Sequence, residues 1–394
     1  MRLAWLSLAA LGCGDLTDTT GTASLVDSAS IDHAPSNVAP PLSTAPRATA
    51  APSVSSAAKP AAPCAPSLGY HGRLDARTAA ALERCENLRT GLGKLSKSCG
   101  LGERTAKDRA RFLDAVPALD EETKTHIREL HRRGKQLGRK PDVFGLVGDS
   151  ITVSTDFMAP FSSNVKRKVE LDDESRAALT FASGETVIEV FRKTLAEPKE
   201  TGDRDSFSAF RAAKVGASAN WAIEGEPLSP AAELMKRVNP SIVIVTYGAN
   251  DAAAKNGTPE QLADEFERHI MAIVRFFEER GVVVILSGEM RHGDAPGVKA
   301  CPSDGKPNDW AIAVATNATV ARMAEIACRE QLPFIDLRHA LDAATNYGLG
   351  PDAVHMTTFQ QGGGVLDARG LDCGNNIRNF VTLLALKRVR EALL

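Results

Sequence analysis

From residue 142 onward, short unbroken apolar runs alternate with longer stretches whose apolar residues recur every three to four positions. The runs are VFGLVG (143–148), SIVIVTYG (241–248), GVVVILSG (281–288) and LPFIDL (332–337). They are rich in β-branched residues and bounded by Gly, Pro or polar turns, the pattern of parallel strands buried on both faces. RAAKVG (211–216) is a candidate fifth strand. Residues 260–281 and 308–330 carry the helical period. Strands alternating with helices predict an α/β sheet with right-handed crossovers. In such a sheet ligands bind outside the carboxyl ends of the strands, so the residues just after each run carry the most information.

The chain before residue 142 reads differently. Residues 1–12, MRLAWLSLAALG, place one cation before a short apolar stretch, as a secretory signal peptide does. Ala10-Leu11-Gly12-Cys13 resembles a bacterial lipobox, which implies acylation of Cys13; the alternative is a secreted protein whose Cys13 is removed with the signal. Residues 13–63 have no period and almost no large apolar side chains, being dominated by Ala, Ser, Thr and Pro. Such a segment cannot bury enough surface to offset its ordering entropy, and reads as a tether. Residues 64–140 form a small lead-in with helical spacing in ARTAAALERCENLRTGL, ARFLDAVPAL and TKTHIRELHRRG. The main domain is expected over 141–394. The expected location is the cell envelope, as a lipoprotein of the periplasm or outer membrane, or else secreted.

Composition narrows the class. Lys and Arg total 47 against 49 Asp and Glu, a formal charge of −2 over 394 residues. That balance argues against a nucleic-acid partner, which needs a basic field. No apolar run approaches the ~18 residues of a membrane span, so contact with a membrane is expected only through the N-terminal lipid. Setting Cys13 aside leaves Cys64, Cys85, Cys99, Cys301, Cys328 and Cys373. In an oxidising compartment these six allow up to three disulfides. Three near each end cannot pair wholly within groups, so full pairing requires a bridge between the two regions. No Cys-x-x-Cys occurs and no His stands at zinc-ligand spacing from a Cys, so no metal is expected.

The strand ends carry the chemistry. Gly148-Asp149-Ser150 follows the first run, Gly216-Ala217-Ser218 follows RAAKV, Gly248-Ala249-Asn250-Asp251 follows the second long run, and Asp352-Ala353-Val354-His355 stands near the C-terminus. This ordered set resembles the SGNH, or GDSL-type, hydrolase family over roughly residues 142–394. The resemblance implies a three-layer α/β/α sandwich with a mostly parallel, flavodoxin-like five-stranded sheet. It also implies a serine esterase that needs no cofactor. Ser150 would be the nucleophile, His355 its base and Asp352 the carboxylate that orients the ring. The oxyanion would be held by the backbone N–H of Ser150, the backbone N–H of Gly216 and the side-chain amide of Asn250. No Gly-x-Ser-x-Gly elbow and no Gly-x-x-x-x-Gly-Lys loop occurs, which disfavours an ordinary α/β-hydrolase and a P-loop enzyme.

Each residue also has a bland reading. A Ser after a strand often caps the next helix, and Asn250-Asp251 could simply form a turn. Asp149 and Asp251 read as loop braces, with Asp149 a candidate for substrate contact as well. Ser218 is a decoy nucleophile without a matched base. Asp336-Leu337-Arg338-His339 repeats the Asp-x-x-His pattern, but it follows a strand directly, so His355 is favoured. Tyr247, Trp221 and His292 are candidates to line the substrate pocket, the aromatics as sugar platforms or else as core. Insertions at 156–210, 288–307 and 356–376 are expected to wall the cleft, with Cys301–Cys373 pinning two of them. The expected substrate is an ester of a small molecule or acylated glycan, and the expected state a monomer. Transfer of the acyl group to a sugar, or a non-catalytic binding lipoprotein of the same fold, are the alternatives.

Overall fold

The computed structural model describes residues 99–100, 106–198, 202–253, 257–293, 312–342 and 344–394. The signal, the tether, Cys13, Cys64, Cys85 and Cys301 lie outside the described residues. In chain order the strands are β1 (Lys140–Gly148), β2 (Glu170–Leu171), β3 (Ala212–Ala213), β4 (Pro240–Thr246), β5 (Val283–Ser287), β6 (Phe334–Ile335) and β7 (Val365–Leu366). Five of them form one parallel sheet in the order β3-β1-β4-β5-β6. The chain thus starts in the sheet at β1, steps to one side, then crosses back and continues outward on the other. This is the flavodoxin-like order, with its switch point beside β1.

The helices are α1 (Ala106–Asp114), α2 (Glu121–Gln136), α3 (Ser150–Val153), α4 (Asp173–Leu179), α5 (Val187–Lys193), α6 (Pro230–Arg237), α7 (Ala249–Ala252), α8 (Pro259–Glu278), α9 (Ile312–Arg329), α10 (Leu337–Leu341) and α11 (Gly374–Leu393). Local chemistry sets their starts. Thr258 and Gln261 close a capping box at α8, with Pro259 in the first turn where its missing N–H costs nothing. The apolar runs are buried on both faces, but alternate residues enter different cores. Ile242 and Ile244 of β4 join a cluster with Phe112, Ile127, Phe191 and the face of α11. Val243 and Val245 join a second cluster with Leu234, Phe266, Ile270, Val274 and Met323 from α6, α8 and α9. The three layers follow from that alternation, each fully buried Val or Ile contributing ~1.5–3 kcal/mol.

The described part of the lead-in belongs to the first of these layers. The Phe112 ring meets Phe380 of α11 edge to face, with centroids 6.1 Å apart, and Arg128 Nε donates to Ala392 O at 2.7 Å. Two insertions meet each other: β2 pairs with β7 in parallel, Glu170 opposite Val365 and Leu171 opposite Leu366. The expected Cys301–Cys373 bridge is not what holds this region. Cys373 is bonded to Cys99, with Cα atoms 5.3 Å apart and a sequence separation of 274. Gly100 N–H donates to Asp372 beside it at 2.9 Å. The partner of Cys373 is thus in the lead-in, one of the bridges between regions that the cysteine count called for.

Candidate active site

Ser150 follows β1 as the first residue of α3. The cap of that helix is Asp149, whose Oδ1 accepts the Ile151 N–H at 3.2 Å. The Ser150 hydroxyl is therefore not spent on capping, which answers the bland reading of this residue. It makes no hydrogen bond among the described residues. Asp149 is buried, and its other oxygen accepts a hydrogen bond from Asn250 Nδ2 at 2.9 Å. That bond fixes which way the amide points. A side-chain amide has two N–H donors; Asp149 takes one, and among the described residues the second has no partner.

Asn250 stands in α7, one turn after β4. Its neighbour Asp251 is buried and accepts the Ala219 N–H at 3.0 Å. This bond reaches the loop that carries Gly216. Gly216 itself is exposed at φ +75°, in the left-handed region where a residue without Cβ sits at no steric cost. Lys214 N–H donates to Gly148 O at 3.2 Å and ties the same loop to the end of β1. Two carboxylates and one backbone bond therefore hold the Ser150, Gly216 and Asn250 segments together at one edge of the sheet. The brace reading of Asp149 and Asp251 describes both.

His355 lies in a tight turn in which Gly350 N–H donates to His355 O and Ala353 N–H to Gly350 O. Asp352 accepts from the Val354 and His355 backbone N–H groups and, at 2.7 Å, meets the ring at Nδ1. Burial pushes the Asp352 carboxyl upward, but these hydrogen bonds outweigh it and leave the group below its ordinary value. The pair is open: the side chains are 57% and 51% exposed. No hydrogen bond joins the ring to Ser150 among the described residues; in unliganded sites such bonds are often long and tighten with substrate. The second Asp-x-x-His is of another kind. Asp336 caps α10 by accepting the His339 backbone N–H, and does not hold the ring.

Residues outside the sequence motifs complete the site. Gly293 N–H donates to Ala353 O, joining the segment after β5 to the His355 turn. His292 beside it is buried, and among the described residues neither ring nitrogen has a hydrogen-bond partner. Burial, with the nearby His355 adding, lowers its pKa to about 4, so it is neutral at ordinary pH. Glu289 is wholly buried; desolvation and then the Asp149 charge raise it to about 8. Desolvation likewise lifts Asp149 and Asp251 to about 6. Arg378 is buried among them, 3.5 Å from the Phe157 ring centroid. Among the described residues no group of three or more His, Cys, Asp or Glu side chains is disposed to hold a metal. The expectation for Tyr247 is corrected: it is 1% exposed and packed in the second core, so it presents no platform to a substrate. Trp221 is half-buried against that core, with Lys214 Nζ 5.8 Å from its ring centroid.

Residues 146–359 match the model of the GDSL-like lipase/acylhydrolase family. No curated protein matches the chain in sequence. Among solved structures the chain is similar to a GDSL-like lipase from Bacteroides thetaiotaomicron, at 13% identity and a TM-score of 0.35, over 66% of this chain and 98% of that one. It is also similar to a lipase/acylhydrolase from Enterococcus faecalis, at 18% identity and a TM-score of 0.32, over 62% of this chain and 94% of that one.

Proposed function

The chain belongs to the GDSL-like lipase/acylhydrolase family, matched over more than half its length, and from that premise we propose that it is an exported serine esterase with Ser150 as nucleophile. The observation that carries this reading is the Asp149–Asn250 bond. It ties an amide to the residue before a Ser that caps nothing, and the Asp352–His355 turn is bonded to the segment after β5.

In the proposed reaction His355 Nε2 takes the Ser150 proton as Oγ attacks the acyl carbonyl. Asp352 holds the Nδ1–H and stabilises the imidazolium. The carbonyl oxygen becomes an oxyanion, held by the N–H groups of Ser150 and Gly216 and by the free N–H of Asn250. Neither backbone N–H donates elsewhere among the described residues. The imidazolium returns its proton to the leaving oxygen, and the alcohol departs. Water then attacks the acyl-enzyme by the same route, its proton passing through His355 to Ser150. The exposure of the His355 pair, together with the open space around Gly216, supports a short acyl group on a bulky polar leaving group such as a glycan. Export and anchoring through Cys13 are part of the same proposal.

A fluorophosphonate probe tests it. The wild type should label at Ser150 and hydrolyse aryl acetate faster than long-chain esters, and Ser150→Ala should do neither. Labelling at another serine, or an unlabelled folded wild type, would overturn the reading.

A further inference from the structure

Two guanidinium groups converge on the single turn of α3. Arg211 Nη1 donates to Thr152 O at 2.8 Å and Ser154 O at 3.0 Å. Its Nη2 donates to Phe157 O at 2.9 Å and Phe207 O at 3.4 Å. Arg378 Nη1 donates to Ile151 O at 2.6 Å, and its Nη2 reaches the hydroxyls of Thr152 at 3.2 Å and Thr246 at 3.4 Å. A four-residue helix leaves most of its carbonyls unsatisfied, and these two forks take up those behind Ser150.

The origin of each fork matters more than the count of bonds. Arg211 immediately precedes β3, which pairs with the end of β1 and leads in five residues to Gly216. Arg378 comes from α11 and also holds Thr246, the last residue of β4, four before Asn250. So each cation joins the Ser150 turn to the segment of a different oxyanion donor. Among the described residues Arg211 makes no bond to a carboxylate; its donors go to main-chain carbonyls. Burial lowers both guanidinium groups to about 10, which still leaves them charged at neutral pH.

We propose that Arg211 and Arg378 are positioning residues that hold the three oxyanion donors in register, by tying the α3 carbonyls to the segments that end in Gly216 and Asn250. The inference rests on the reading of Ser150, Gly216 and Asn250 given above. It predicts a loss in the chemical step, because donors displaced by a fraction of an ångström to 1 Å forfeit transition-state contacts more than substrate binding. Lysine keeps the charge but not the planar fork, so Arg→Lys variants isolate geometry from charge.

The test is kcat and KM of Arg211→Lys, Arg378→Lys and Thr246→Val, with active sites counted by fluorophosphonate titration. Arg390→Gln, on the same helix as Arg378, breaks the ion pair to Asp142 of β1 and serves as the stability control. The expected result is a fall in kcat per titrated site of about 10- to 100-fold for the Arg variants, with KM within about threefold. A boronic acid that forms a tetrahedral adduct should weaken in parallel with kcat. Arg211→Lys and Thr246→Val probe the two ties separately if the buried 378 position does not tolerate lysine. Variants that melt earlier yet keep wild-type kcat per titrated site would overturn the positioning role. A wild type that fails to label overturns the underlying functional reading instead.

Discussion

Asn250 offers the sharpest test of the oxyanion site, because two substitutions there perturb it in different ways. Asn250→Ala removes the donor proposed for the oxyanion. Loss of one such donor typically costs about 10²–10³ in kcat, or about 3–4 kcal/mol, with little change in KM. It also strips Asp149 of a hydrogen bond in a buried setting, which pushes that carboxyl further up. Asn250→Asp keeps the shape but places a second carboxyl 2.9 Å from Asp149 Oδ2. At an effective dielectric of about 20, two charges that close repel by about 6 kcal/mol, or about four pKa units. The pair therefore keeps one proton through neutral pH. That proton lies between the two carboxyls, so the oxyanion loses its donor while the fold survives.

Both variants should lose kcat by at least about 100-fold. Steady-state kinetics from pH 4 to 9, normalised by active-site titration, read this directly. If Asn250→Ala kept kcat within threefold of wild type, or lost activity only through KM, the amide would not face the transition state. The orientation drawn from the Asp149 bond would then be wrong.

Other consequences can be checked as simply. His355→Ala should abolish ester cleavage while His339→Ala leaves it largely intact; the reverse would move the base to the Asp336 turn. Glu289→Gln should flatten the dependence of Tm on pH between about 5 and 9. The native carboxyl holds its proton up to about pH 8, whereas the unfolded group releases it near 4.5, so stability present at low pH is lost as pH rises through 8; superimposable profiles for wild type and variant would refute this. Cys373→Ser opens a bridge whose ends are 274 positions apart, which by loop entropy is worth up to about 5 kcal/mol and about 10–20 °C in Tm; peptide mapping that found Cys373 bonded elsewhere would defeat the pairing.

How much of this site was legible in the sequence follows from where each contact runs. The strands were readable because burial on both faces leaves an unbroken β-branched run, and Ser150, Asn250 and Gly216 were readable because each sits just past such a run. Asp352 and His355 were readable because their bond spans three residues. Arg211, Arg378 and Glu289 left no such mark. Arg211 meets the α3 segment across 57 positions, and Arg378 meets it across 227, so nothing nearby in the chain distinguishes them from surface charges. The disulfide fails the same way: any of six cysteines can be matched on paper, and only the packing of the lead-in against α11 brings Cys99 to Cys373. Tyr247 was misread for the opposite reason. It adjoins the Asn250 motif, but a strand points successive residues to opposite faces, and nearness in sequence to a site does not turn a side chain toward it. Motif residues thus mark the proposed reacting atoms, while the residues proposed to fix their distances act across the fold. The Arg211 and Arg378 variants separate these two classes, because they leave every motif residue in place and move only the geometry between them.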